Sequence, residues 1–170
     1  MYFTGFTMQN QRKYVFYIIS CLCLNIAVFS GIYVYKSAMM KWFLQLPTSR
    51  ITPSGSVLAA LWSISFAVTF SAYLLTREEK NHLLYELGET LYLAMLLLCL
   101  MWPICFFYFK SPIAGITDMV FIMLTAFVTS SVFFKITSCT MWLMICYIMI
   151  MTFIFHTNLY VIVKSYGLIN

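Results

Sequence analysis

Five long stretches of the chain stay apolar on every side of a helix, and the polar and charged residues collect in the short segments between them. The stretches cover about 14–35, 54–76, 87–109, 112–134 and 141–163. A bilayer core about 30 Å thick takes roughly 20 apolar residues of helix to cross, so each stretch is long enough to span it. Barrel strands would alternate polar and apolar residues over roughly 10 positions, a pattern absent here. The pattern therefore predicts an all-α integral membrane protein: a five-transmembrane-helix bundle forming a single membrane domain over 1–170.

The connecting segments sharpen this outline. Arg12 and Lys13 precede the first run as they would in a signal peptide, but the run is too long and has no small-x-small exit before Lys36, which predicts a retained first helix. Within it, Ala27 and Gly31 form a small-xxx-small pair that would let another backbone approach closely. Lys36 to Pro53, with Lys41, Trp42 and Arg50, is the least apolar stretch and reads as a loop with some interfacial helix. Arg77, Glu78, Glu79 and Lys80 form a solvated turn. Glu86 and Glu89 fall in the first turn of the third helix, where acidic groups complement the dipole. Pro103 removes one backbone hydrogen bond inside that helix and predicts a kink. Lys110-Ser111-Pro112 is a tight connection, and Lys135 to Thr140 is a short turn.

Composition agrees with the pattern: 63% of residues are hydrophobic and 9% charged, too little polar material to clothe a soluble core. The net charge of +5 has no dense block of like charges and excludes a nucleic-acid site. Five spans put the termini on opposite sides. Arg12, Lys13, Arg77, Lys80 and Lys135 flank one side and Lys36, Lys41, Arg50, Lys110 and Lys164 the other, a balance that sets no orientation. The six cysteines (Cys21, Cys23, Cys99, Cys105, Cys139, Cys146) have neither zinc-site nor disulfide-framework spacing and read as reduced, buried, small hydrophobes.

Few residues offer chemistry. Asp118 lies less than two turns after Pro112 and reads as an interfacial or dipole-satisfied carboxylate, with a functional polar contact as the alternative. His156, towards a helix end, reads as an interfacial group; haem-iron ligation or proton relay is the alternative. Trp42 and Trp142, near span ends, suit the headgroup level. Trp62 and Trp102 lie within spans, where an indole facing lipid gains no anchoring and its N–H needs a partner. An aromatic cavity between helices, able to take a flat hydrophobic molecule, accounts for both. No HExxH, GxSxG or Walker motif is present, so the chain is read as a non-enzyme with no catalytic residues and no metal site.

The run Trp42-Phe43-x-x-Leu46, then Pro53, then Leu58-Ala59-x-Leu61-Trp62-x-x-x-Phe66 resembles the loop and second helix of the TspO/translocator-protein family, also called peripheral benzodiazepine receptors or tryptophan-rich sensory proteins. Tyr92, Trp102-Pro103-x-x-Phe106-Phe107 and Asp118 match its third and fourth helices, and Tyr147, Phe153 and Asn158 its fifth. The likeness covers about 27–160. The chain departs from the family in four places. The proline-tryptophan loop motif is reduced to Ser49-Arg50-Ile51-Thr52-Pro53-Ser54, Cys99 replaces a common asparagine, and Ala114 and Ile150 stand at tryptophan positions. Leu159 abuts Tyr160 without the spacer of a cholesterol-recognition pattern.

The resemblance implies a five-helix bundle, commonly a homodimer, in a bacterial membrane or the mitochondrial outer membrane. Its cavity would open between helices and be partly closed by the loop after helix one. Leu58, Ala59, Trp62, Phe66, Cys99, Trp102, Phe106, Tyr147 and Asn158 would line or support that cavity, with Trp62 stacking on the ligand and Asn158 giving a polar contact. No cofactor is required. The ligand implied is a tetrapyrrole, porphyrin or haem, held by a sensor, carrier or regulator. A cholesterol- or lipid-binding translocator or scaffold is the alternative, and light- or oxygen-dependent porphyrin breakdown a weaker one, given the two lost tryptophans.

Overall fold

The computed structural model describes residues 19, 20, 23, 26, 38–47, 52–79 and 83–166. Its elements are α1 (Ala38–Gln45), α2 (Gly55–Glu78), α3 (Tyr85–Pro103), a π-helical segment (Ile104–Tyr108), α4 (Pro112–Ile136) and α5 (Thr140–Ser165). Among the described residues there is no strand. Four helices are long and apolar enough to cross a membrane: Gly55–Glu78, Tyr85–Tyr108, Pro112–Ile136 and Thr140–Ser165. The first expected span, with Ala27 and Gly31, lies outside the described residues except for 19, 20, 23 and 26, which are helical.

Helix ends follow local chemistry. Ser54 caps α2, accepting from the Val57 N–H at 3.4 Å, and Ser111 caps α4, accepting from Ala114 N–H at 3.2 Å with Pro112 in the first turn. Between the π segment and α4 the chain reverses through Lys110, whose φ of 50° lies in the left-handed region. Hydroxyls inside the spans bond back to their own helix, for example Ser65 Oγ to Trp62 O at 2.7 Å and Thr129 Oγ1 to Thr125 O at 2.8 Å. That local satisfaction is what lets Ser and Thr sit in apolar surroundings.

Buried positions on each span recur every three or four residues, which makes one inward stripe per helix. α3 packs along α4, α4 along α5 and α5 along α2, whereas α2 meets α3 and α4 more sparsely. The four therefore run round the bundle as α3, α4, α5, α2, with α2 facing α4 across the centre. Two glycines bring α3 and α4 together. A Cβ on Gly88 would stand 3.2 Å from Phe133, and one on Gly115 would stand 2.7 Å from Phe106 Cδ2.

The α2–α3 boundary is built differently. Two ring pairs bridge it: Tyr73 on Tyr92, stacked at 4.7 Å and 5°, and Trp62 on Trp102 at 4.6 Å and 31°. They are 11 residues apart on α2, which is about 16 Å of helix. Tyr73 Oη also donates to Glu89 Oε1 at 3.1 Å, with Tyr85 and Arg77 beside it, and Ser20 of the first segment lies next to Tyr92.

Pro103 does not end the helix. The helix continues past it in wider turns, with Phe109 N–H bonded to Ile104 O at 3.0 Å, five residues back. Both Phe106 and Phe107 are buried as a result. The cysteines also depart from the sequence expectation. Cys23 and Cys99 are buried and Cys105 is half-buried, but Cys139, in the turn before α5, is exposed, and so is Cys146, because the inward stripe of α5 runs through Met144, Tyr147 and Met151.

Candidate ligand-binding site

Three contacts fix how the helices line up. Trp62 meets Trp102 between antiparallel α2 and α3, Phe106 meets Gly115 between antiparallel α3 and α4, and Cys99 meets Tyr147 between parallel α3 and α5. Asp118 lies one turn further along α4 than Gly115, and therefore level with Trp102 and Trp62. The same registration brings Met151 of α5 into that layer. One turn towards the chain reversal at Lys110 lie Leu58, Phe106 and Gly115. One turn the other way lie Phe66, Cys99 and Tyr147.

All nine residues expected to line a cavity point inward. Leu58, Trp62, Phe66, Cys99, Trp102, Phe106, Tyr147 and Asn158 are buried and Ala59 is half-buried. Their rings are continuous: Trp102 stacks on Phe106 at 5.2 Å and 12°, and Phe66 meets Trp62 edge-on at 6.3 Å. α1 covers this end of the bundle. Trp42 meets Phe106 at 5.6 Å, and Phe43 reaches Phe106 at 6.2 Å and Phe107 at 5.8 Å. Trp42, which the sequence suggested as a headgroup anchor, is thus part of the cover. Trp142 is 70% exposed and His156 is exposed, so neither belongs to the inward stripe of α5.

The polar atoms set this region apart. Trp62 Nε1, Trp102 Nε1, Asn158 Nδ2 and Asp118 Oδ2 are all buried, and none has a hydrogen-bond partner among the described residues. Each such group costs about 1–3 kcal/mol relative to a satisfied one, and native structures hold few of them. Three of them lie in the Trp62–Trp102–Asp118 layer and Asn158 about two turns nearer the α1 end; Ser20 Oγ and Thr137 Oγ1 are unpartnered elsewhere among the described residues. The Cys99 thiol and the Tyr147 hydroxyl, 3.2 Å apart, partner each other instead. Asp118 lies within electrostatic reach of Cys99, Cys105 and Tyr147. The arrangement supplies a flat aromatic wall, three N–H groups and one carboxylate oxygen.

Sequence reasoning did not place Asp118 here. It is beyond the first turn of α4, where the helix dipole is effective, and its buried Oδ2 is unpartnered, so neither an interfacial nor a dipole-satisfied carboxylate describes it. Phe43, Phe107 and the Tyr73–Tyr92 pair were also missed as supports. The signal available was the three- and four-residue spacing of Leu58, Trp62, Phe66, Thr69 and Tyr73, which places the tyrosine on the same stripe as the tryptophan.

The model of the TspO/MBR family matches residues 18–163. No curated protein matches the chain.

Proposed function

We propose that this chain, which belongs to the TspO/MBR family and is a multi-pass integral membrane protein, binds a planar hydrophobic ligand between α2, α3, α4 and α5. The ligand class we assign is a tetrapyrrole, porphyrin or haem, and the role is sensor, carrier or regulator of its level. The observation that carries this reading is the paired, buried indoles of Trp62 and Trp102, whose N–H groups have no partner among the described residues. A core residue selected for packing alone would not need a polar edge left unsatisfied. A flat ligand with acceptor groups gives the indoles both a stacking surface and a hydrogen-bond partner.

In this conformation the two indoles touch, so ligand entry requires them to part. α1 is placed to follow that movement through Trp42 and Phe43. The full arrangement we propose has five spans, the first over about 14–35, in a homodimer, in a bacterial membrane or the mitochondrial outer membrane. The role is binding without catalysis.

The test is a protoporphyrin IX titration of the purified protein in detergent, followed by quenching of tryptophan fluorescence. Wild type should bind with saturation, and Trp62→Ala should weaken binding about tenfold or more, as expected for loss of an aromatic hot spot. Wild-type affinity no tighter than that of an unrelated five-helix membrane protein would refute the reading. A sterol or lipid ligand would then be sought by mass spectrometry of what co-purifies.

A further inference from the structure

The unpartnered carboxylate says something about the ligand that the aromatic wall does not. Trp62 belongs to α2 and Asp118 to α4, helices that face each other across the bundle, and the registration above puts the two in one layer. A flat molecule stacked on Trp62 therefore presents its other face towards Asp118. Among the described residues nothing neutralises that group: Lys41, Lys110 and His156 are exposed, and Asp118 has no charged or hydrogen-bonding partner. Its neighbours are the Cys99 thiol and the Tyr147 phenol, already engaged with each other, and the half-buried Cys105 thiol, which makes no hydrogen bond to it. A buried carboxylate oxygen needs a donor, and the described residues leave that place open to the ligand.

We infer that Asp118 selects metal-free tetrapyrroles over their metal complexes by accepting a hydrogen bond from the ligand's inner pyrrole N–H groups. The inference rests on the tetrapyrrole reading above. A metal-free macrocycle carries two inner N–H groups, and tilting of the pyrroles offers them to an acceptor above the ring plane. Metal insertion removes both protons and leaves a closed-shell face with nothing to donate. The two outer indole N–H groups and Asn158 Nδ2, being donors, suit acceptors on the ligand rim such as carboxylates and do not distinguish the two forms.

The experiment compares protoporphyrin IX with its palladium(II) complex, whose square-planar metal takes no axial ligand, and with the iron complex, in wild type, Asp118→Ala and Asp118→Asn. The full-length protein is used in detergent, with folding checked by size exclusion and thermal melting. Wild type should prefer the free base over the palladium complex by about tenfold, the scale of one hydrogen bond to a charged group. Asp118→Ala should bring the two within about threefold. Asp118→Asn keeps the side-chain volume and decides the matter if the alanine variant does not fold; its preference should be smaller than wild type's. Equal wild-type affinity for the free base and the palladium complex would overturn the inference while leaving porphyrin binding intact. So would iron-complex binding that is the tightest of the three and lost in Asp118→Ala, since that is axial ligation. Binding of none of the probes would overturn the tetrapyrrole reading itself, and the inference with it.

Discussion

Gly115→Ala tests whether the aromatic wall is as tightly held as its geometry requires. The added methyl would lie 2.7 Å from Phe106 Cδ2 and 3.2 Å from Phe106 Cβ, against an optimum of about 3.5–4.0 Å between carbons. Phe106 has nowhere to turn. Trp102 stacks on it at 5.2 Å, Phe107 meets it edge-on at 4.9 Å and Trp42 at 5.6 Å. α3 and α4 must separate instead, and overpacking of this kind costs about 1–3 kcal/mol. For a chain of this length the scaling from soluble domains converts that to a fall in Tm of roughly 2–12 °C, read by tryptophan fluorescence in detergent. The decisive measurement is a double-mutant cycle. Phe106→Ala alone should cost about 3–5 kcal/mol, and in its background Gly115→Ala should cost less than about 1 kcal/mol, because the worst contact has gone. A Gly115→Ala protein that melts with wild type, or effects of the two substitutions that add to within about 0.5 kcal/mol, would show that this contact does not hold the wall.

Two further outcomes follow from the structure. Tyr73→Phe loses the bond to Glu89 and should lower stability by about 1.5 kcal/mol, the low end for a partly buried bond to a charged group, with Glu89→Gln costing less; a neutral Tyr73→Phe in the same melt would remove this bond as a support of the α2–α3 boundary. Among the cysteines, native protein treated with maleimide and mapped by mass spectrometry should be modified at Cys139, exposed in the turn before α5, and protected at Cys99 until denatured; rapid labelling of Cys99 would contradict its burial against Tyr147.

Much of the architecture was readable because the bilayer dictates it. The expected spans 54–76, 87–109, 112–134 and 141–163 agree with the helices to within two residues at every boundary, since a helix must stay apolar across the hydrocarbon and can turn polar only beyond it. The same constraint hides what lies between helices. A span apolar on all sides carries little amphipathic signal, so its sequence does not say that Cys146 faces out while Tyr147 faces in, or that Asp118 points to the centre. The nine site residues were drawn from family likeness, and eight of them are buried and Ala59 half-buried. Pro103 advertised a broken hydrogen bond, but neither the wider turns that follow it nor the place of Phe106 over Gly115, a contact between helices that no local pattern encodes. Trp42 is similar: its place depends on how α1 folds back onto Phe106.

The wide turn after Pro103 also makes chain length itself a specification. An α-helix advances about 100° per residue, and the Ile104–Tyr108 segment holds its extra turn-length between the Trp102 stack on one side and the Lys110 reversal with its Ser111 cap on the other. Removing any single residue between 104 and 108 would allow regular helix, yet it would rotate one of those ends by that angle against the other. The segment should therefore tolerate changes of side chain far better than a change in the number of residues, and its count ties the orientation of the indoles to the start of α4.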